Sequence, residues 1–172
     1  MMRTWLTGLL VLVLAGLGLE AAAAPGDEVL GTWVTEGGKS RVEITKEKDG
    51  TYTATIRWLK EKVYPAGDDE AGVVKHDRFN PDEKLRDKPI IGLKVAWGFQ
   101  HQGKGYYKKG SIYDPENGKT YSCKMTLVDE DHLDIRGYIG ISLIGRTTTW
   151  ERYVPEEDEA AEESAEEAGD EA

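Results

Sequence analysis

Short runs in which apolar and polar residues alternate fill most of the chain between residues 40 and 153. Residues 52–59 and 121–127 are clear examples, and an alternation of period two indicates half-buried strands. Asp49-Gly50 and Asn117-Gly118 separate neighbouring runs, and such dipeptides are typical of tight turns between antiparallel strands. The sequence therefore predicts an all-β fold of short antiparallel strands.

Glycine content refines this prediction. Sixteen glycines lie between residues 25 and 154, and the alternation is one-sided. Both features favour a barrel, in which strands bend sharply, so we predict a single antiparallel β-barrel domain over residues 25–154. Residues 62–92 interrupt the pattern with a long, polar, proline-containing segment, which is unusual inside a compact domain. This segment is either an insertion or a functional lid.

The N-terminal segment has the pattern of a secretory signal. Arg3 precedes an uncharged apolar run over residues 6–19, and residues 21–24 are the small residues that a cleavage site needs. The apolar run is shorter than the roughly 20 residues that span a bilayer. We therefore predict a signal peptide over residues 1–23, export to the periplasm or out of the cell, and no transmembrane segment in the mature protein.

Charge is distributed unevenly along the chain. The formal net charge is -10, and residues 155–172 contain ten acids and no base. Residues 25–154 are formally neutral, which argues against a nucleic-acid partner because such partners need a basic face. The tail has no aliphatic residue larger than alanine, so we predict that residues 155–172 are disordered. The oligomeric state is left open by the sequence.

Catalytic patterns are missing from the sequence. The three histidines, His76, His101 and His132, lie at expected loop positions, and no nucleophile elbow, phosphate loop or dinucleotide fingerprint occurs. The lone Cys123 lies in a strand-like run and is expected to be a buried small hydrophobe. Acidic residues in the 62–92 segment fit no EF-hand spacing. We therefore predict no enzyme activity, no catalytic residues, no metal site and no cofactor.

Several segments resemble known families. Gly31-Thr32-Trp33 resembles the Gly-x-Trp signature of lipocalin-like barrels, and Arg146 resembles the arginine that stacks on that tryptophan. The chain is also similar to the bacterial family called domain of unknown function 2147, through residues 31–33, 80–87, 91–93, 110–121, 136–140 and 145–150. The resemblance implies an exported lipocalin-like barrel of about eight strands, an ordered 62–92 loop and a structural Trp33–Arg146 pair at the barrel floor. It implies no established activity.

The combined interpretation is an exported lipocalin-like protein that binds a small apolar or amphipathic ligand, such as a lipid or fatty acid, in the barrel. Strand parity predicts eight lining residues: Tyr52, Ile56, Trp58, Val95, Trp97, Tyr121, Met125 and Ile135. The same residues could instead fill a closed core. The alternative function is therefore a structural or interaction module of the cell envelope, with a solid barrel, no ligand and a working surface on the 62–92 loop.

Overall fold

A computed structural model describes residues 24–155 and contains a closed antiparallel barrel in which each strand pairs with its neighbours in sequence and the last pairs with the first. The strands are β1 (Gly31–Val34), β2 (Ser40–Lys46), β3 (Tyr52–Leu59), β4 (Lys94–His101), β5 (Tyr106–Asp114), β6 (Lys119–Leu127), β7 (His132–Tyr138) and β8 (Gly145–Arg152). The prediction of an all-β antiparallel barrel of about eight strands is confirmed. The predicted signal peptide and the tail beyond Pro155 lie outside the described residues.

Up-and-down connectivity gives the barrel two different ends. We call the end formed by residues 24–30, 47–51, 102–105 and 128–131 the closed end, and the end formed by residues 35–39, 60–93, 115–118 and 139–144 the open end. The three 3₁₀ turns are short: Asp27–Val29 lies at the closed end, and Glu36–Gly38 and Glu83–Leu85 lie at the open end. Within residues 24–155 no helix is long and apolar enough to cross a membrane.

Large side chains pack the half of the barrel interior next to the closed end. Trp33, Phe99, Tyr107 and Leu133 are each at most 1% exposed. The Tyr107 hydroxyl donates a 2.6 Å hydrogen bond to the Gly26 carbonyl, which ties the N-terminal segment across this end. Buried side chains of this size fill much of this half, because protein interiors pack at crystal-like density.

An arginine stacks on Trp33, but it is Arg152 and not the predicted Arg146. The Arg152 guanidinium carbon lies 4.2 Å from the centre of the Trp33 ring, and the same group donates to the carbonyls of Glu28, Leu30 and Glu130. Arg146 lies at the opposite end of β8, is mostly exposed and pairs with Glu36 at 2.7 Å. The prediction of a Trp33–Arg146 pair is therefore wrong, because the β1–β8 register places Arg152 beside Trp33.

The long loop between β3 and β4 is ordered by its own contacts. Isolated bridges join Val63 to Val74 and His76 to Pro89, and Ile90 is buried in the barrel core. The Tyr64 hydroxyl donates to the His76 carbonyl at 2.9 Å. The expectation of an ordered loop is confirmed, and the loop lies at the open end as a partial cover.

Candidate ligand cavity

A cavity of about 1080 Å³ occupies the half of the barrel nearer the open end. This volume is at the upper limit of ordinary small-molecule sites, which span roughly 300–1,000 Å³. Its inner wall is built from apolar residues of the strands: Val42, Ile56, Val95, Ile112, Ile135 and Trp150. The loops of the open end form its mouth. The barrel is therefore solid at one end and hollow at the other.

The floor of the cavity is set by the packed half. Ile135 lines the cavity and pairs across strands with Met125 and Thr148, of which Met125 is only 2% exposed. One residue pair further toward the closed end, Leu133 is fully buried. Apolar surface of this depth favours an apolar ligand, because each methylene removed from water contributes about 0.8 kcal/mol.

Arg78 organises the polar side of the mouth. Its guanidinium donates two hydrogen bonds to Asp68, at 2.7 and 2.9 Å, and a third to Glu70 at 3.3 Å. The same group lies 4.0 Å from the centre of the Tyr64 ring. The hydrogen bonds from Arg78, together with one from the Glu70 backbone N–H, lower the pKa of Asp68 to about 2. The carboxylate is consequently ionised throughout the physiological range, and the Asp68–Arg78 pair holds the long loop in one shape.

A buried carboxylate anchors the same loop to strand β5. Asp77 is fully buried and accepts 2.6 Å hydrogen bonds from the Tyr113 hydroxyl and from the Asn80 amide. Its own backbone N–H donates to the Lys88 carbonyl at 2.8 Å. Burial and the hydrogen bond to Asp77 raise the pKa of Tyr113, which keeps the hydroxyl protonated as a donor. The loop is thus fastened to the barrel beside the cavity.

Formal charges around the cavity cancel. Its lining contains five acidic residues, Glu36, Glu61, Asp68, Asp114 and Glu116, and five basic residues, Lys39, Lys60, Lys75, Arg78 and Arg146. Ion pairs join four of the basic residues to neighbouring acids, at distances from 2.7 to 4.0 Å. An ionic ligand would have to compete with these pairs. The mouth therefore offers polar contacts but no net charge that would attract an anion or a cation.

Four of the eight predicted lining residues are in the cavity wall: Ile56, Val95, Tyr121 and Ile135. Tyr52 and Met125 point into the barrel but belong to the packed half, where they are 1% and 2% exposed. The prediction that those two residues line the cavity is therefore wrong, because neither side chain is part of its wall. The contact of the other four with a ligand stays a prediction.

Trp58 lies outside the cavity because of a β-bulge. Val42 pairs with Ile56, whereas Arg41 pairs with Trp58, so Arg57 is the extra residue in β3. One extra residue exchanges the two faces of a strand beyond that point. Trp58 therefore shares a face with Arg41, whose guanidinium carbon lies 4.5 Å from the Trp58 ring centre. The prediction that Trp58 lines the barrel is wrong.

Trp97 is also displaced from the interior. It pairs with Ser111 and is 37% exposed, whereas Phe99 two residues later is buried. The register between β3 and β4 shifts twice, and Gly98 has a φ of 76°, a conformation that glycine adopts without strain. These irregularities break the alternation from which the lining was predicted, so the prediction for Trp97 is wrong.

Sequence reasoning missed several residues of the cavity. Ile112 and Trp150 line the wall, and Tyr64, His76, Phe79 and Ile90 of the long loop complete the mouth. The alternation of residues in β8 could have predicted Trp150, since Thr148 and Trp150 alternate with exposed threonines in that strand. Nothing in a loop sequence shows which side chains turn toward a barrel, so the four loop residues had no comparable signal.

Metal binding and thiol reactivity find no support in the described residues. Within residues 24–155 no cluster of three histidine, cysteine or acidic side chains is placed to hold a metal ion. Cys123 is fully buried, and burial raises the pKa of its thiol to about 12. A thiol with such a pKa is protonated at neutral pH and is a poor nucleophile, because the thiolate is the reactive form.

The sequence model of a family described as "Uncharacterized protein conserved in bacteria (DUF2147)" matches residues 31–152. The chain belongs to this family. The matched range begins with β1 and ends with β8, so the DUF2147 domain is the barrel itself. The predicted family membership is confirmed. Among proteins of curated function, none matches the chain significantly.

A solved structure supports the same fold for this DUF2147 domain. Protein HP1028 from the human pathogen Helicobacter pylori, described as belonging to the lipocalin family, is similar with a TM-score of 0.61 and 27% sequence identity. The similarity covers 74% of this chain and 84% of that chain. The fold of the DUF2147 domain is therefore lipocalin-like.

Proposed function

We propose that the protein binds a small apolar or amphipathic molecule, of a lipid or fatty-acid-like kind, in the hollow half of the barrel, and that it acts as a binder and not as an enzyme. The observation that carries this proposal is the cavity of about 1080 Å³ with its apolar inner wall. The cavity supports this proposal over the alternative of a structural or interaction module with a solid barrel and no ligand. Lipocalin-like barrels offer a site for one small ligand.

The polar residues at the mouth suggest how such a ligand is oriented. Tyr121 and Tyr138 line the cavity on strands β6 and β7, and Asn117 lines it at the turn before β6. These groups can form hydrogen bonds with a hydroxyl, ester or carboxyl group while the chain of the ligand lies deeper. Because charges around the mouth cancel, we propose that an uncharged or zwitterionic polar end is accepted at least as well as a carboxylate.

Straight-chain alcohols and fatty acids of increasing length test the proposal. We expect affinity to rise about fourfold per methylene until the apolar wall is covered, as burial of about 0.8 kcal/mol per methylene requires. We expect alcohols to bind at least as tightly as acids of the same length. Titration calorimetry or displacement of an apolar fluorescent probe measures both trends.

Matched variants locate the site. Ile135→Trp fills the cavity floor, so the preferred chain should become shorter. Val128→Trp adds the same bulk at the closed end, where Val128 is 58% exposed, and should leave the preferred length unchanged. The proposal fails if no chain length binds to the unmodified protein, or if the two variants shift the preferred length equally.

We also propose that the protein is exported, on the basis of the charged, apolar and small-residue order of residues 1–23. The expected mature chain begins near Ala24, immediately before the segment that closes the barrel floor. Intact mass of the protein recovered from fractionated bacteria measures this. A chain that retains residues 1–20 in the membrane fraction would contradict export by cleavage.

A further inference from the structure

Exposed apolar side chains are concentrated at the open end of the barrel. Residues 24–155 expose thirteen large apolar side chains, and ten of them belong to the loops of that end: Val63, Val73, Val74, Phe79, Leu85, Ile91, Ile139, Ile141, Leu143 and Ile144. Val128 and Val154 lie at the closed end, and Trp97 lies on β4. Concentrations of exposed apolar surface mark sites of contact with membranes or proteins.

The loop between β7 and β8, residues 139–144, is the most apolar part of this surface. Its four aliphatic side chains are between 62% and 84% exposed. No charged residue occurs between Tyr138 and Arg146. An isolated exposed leucine is unremarkable, but four exposed aliphatic side chains within six uncharged residues are not. We call residues 139–144 the apolar tip.

Hydrogen bonds fix the shape of the apolar tip. Arg136 donates to the Ser142 carbonyl at 2.8 Å and to the Leu143 carbonyl at 3.2 Å, and the Ile144 N–H donates to the Ile141 carbonyl at 3.1 Å. The arginine thus satisfies backbone acceptors while the side chains of Ile141 and Leu143 remain in solvent. The exposure of these side chains is therefore built into the backbone of the loop, so the backbone needs little further ordering when they are buried in a partner.

The apolar tip continues the wall of the cavity. Ile139 and Ile144 line the cavity mouth, and Ile141 and Leu143 extend the same surface outward. A molecule leaving the cavity on this side would therefore pass along apolar side chains. Any partner that covers the apolar tip would therefore also face the cavity mouth.

From these observations we propose that the apolar tip inserts into the surface of a lipid bilayer and places the cavity mouth against it. A protein partner fits less well, since a standard protein interface uses roughly 20–30 residues a side with a polar rim. A narrow uncharged tip matches instead the shallow insertion by which amphipathic surfaces bind bilayers. The proposal rests on the proposed function and extends it, because it names the lipid bilayer as the place from which the cavity takes up its ligand or to which it releases it.

Binding to phosphatidylcholine vesicles tests the proposal with the protein as purified after export. Ile141→Ser combined with Leu143→Ser should weaken vesicle binding about tenfold or more, because both side chains lose their transfer into lipid. The matched control is Val128→Ser combined with Val154→Ser, at the closed end, which should leave binding unchanged. Since insertion is apolar, added salt should not weaken binding, in contrast to electrostatic attachment.

A site-directed probe gives a second measurement. Cys123 is fully buried, so a polarity-sensitive fluorophore would label Leu143→Cys or the control Val128→Cys selectively. Vesicles should shift the emission of the probe at position 143 to the blue and leave the probe at position 128 unchanged. Equal shifts at both positions would overturn the proposal.

Other outcomes also decide against insertion. Binding that occurs only with anionic vesicles and disappears in salt would overturn it, as would a dimer in solution that the tip substitutions dissociate. Failure to bind vesicles, together with chain-length-dependent alcohol binding in solution, would remove the docking proposal and leave the ligand proposal standing. Vesicle binding through the tip by a protein that binds no alcohol would support docking and contradict the ligand proposal.

Discussion

Replacing Trp33 with alanine is expected to lower the free energy of unfolding by about 3–5 kcal/mol. Trp33 is fully buried, its indole N–H donates to the Val29 carbonyl at 2.9 Å, and Arg152 stacks on its ring. Alanine would leave a cavity in the packed half and remove both the hydrogen bond and the stack. Urea unfolding followed by circular dichroism measures the loss.

The stacking partner can be identified with a double-mutant cycle. Arg152→Ala should cost less than Trp33→Ala, and the double substitution should be non-additive because the two side chains are in contact. The contact itself is expected to contribute about 0.5–2 kcal/mol. Arg146→Ala is the control: it removes an exposed ion pair with Glu36, of the kind that contributes at most about 1 kcal/mol, and should be additive with Trp33→Ala. Coupling to Arg146 instead would contradict the observed stack.

Gly118→Ala is expected to destabilise the protein and to move the long loop. Gly118 has a φ of 69°, which costs a residue with a Cβ about 1–2 kcal/mol. A Cβ at this position would overlap the Phe79 carbonyl oxygen, so the backbone of the loop must shift. Overpacking of this kind adds about 1–3 kcal/mol. Hydrogen exchange of residues 76–90 should increase with the shift.

Gly50→Ala separates the two contributions. Gly50 also sits in a turn, with a φ of 82°, but nothing lies within 4 Å of a Cβ built there. The Gly50→Ala variant should therefore lose only the stability that the positive φ costs, and hydrogen exchange in the long loop should be unchanged. Equal losses in the two variants would mean that Gly118 makes no close approach to the loop.

The strands and the turns between them could be predicted because both depend on local chemistry. Alternating residues such as Tyr121, Cys123 and Met125 form one face of a strand wherever that strand lies. Turn dipeptides such as Asn117-Gly118 mark where strands reverse, and the structure has a turn there with Gly118 at positive φ. Neither inference requires knowledge of which strand pairs with which.

Identifying the arginine that stacks on Trp33 required knowledge of which residue of β8 pairs with Trp33. Arg146 and Arg152 lie in the same strand and have the same parity, so alternation assigns both to one face. Only the pairing of Trp33 with Arg152 decides which reaches the tryptophan, and that pairing depends on the closure of the barrel. A sequence pattern cannot supply a register between the first strand and the last.

The cavity was unpredictable for a related reason. Its wall includes Ile56 and Ile135 as parity requires, but Trp58 and Trp97 are absent because bulges reverse the faces of β3 and β4. A bulge depends on which residue the neighbouring strand leaves unpaired. Strict alternation therefore assigned both tryptophans to the interior. In each strand, however, an irregularity reverses the two faces before the tryptophan is reached.

The bulge at Arg57 makes the cavity depend on strand register as well as on composition. If β3 continued past Ile56 without a bulge, Arg57 would pair with Arg41, Trp58 would face inward toward the mouth, and the volume now open to a ligand would shrink. Two chains with the same apolar residues could therefore differ in whether they hold a ligand. A comparison of relatives position by position would miss this difference, whereas the pairing of residues 40–42 with residues 56–59 would reveal it.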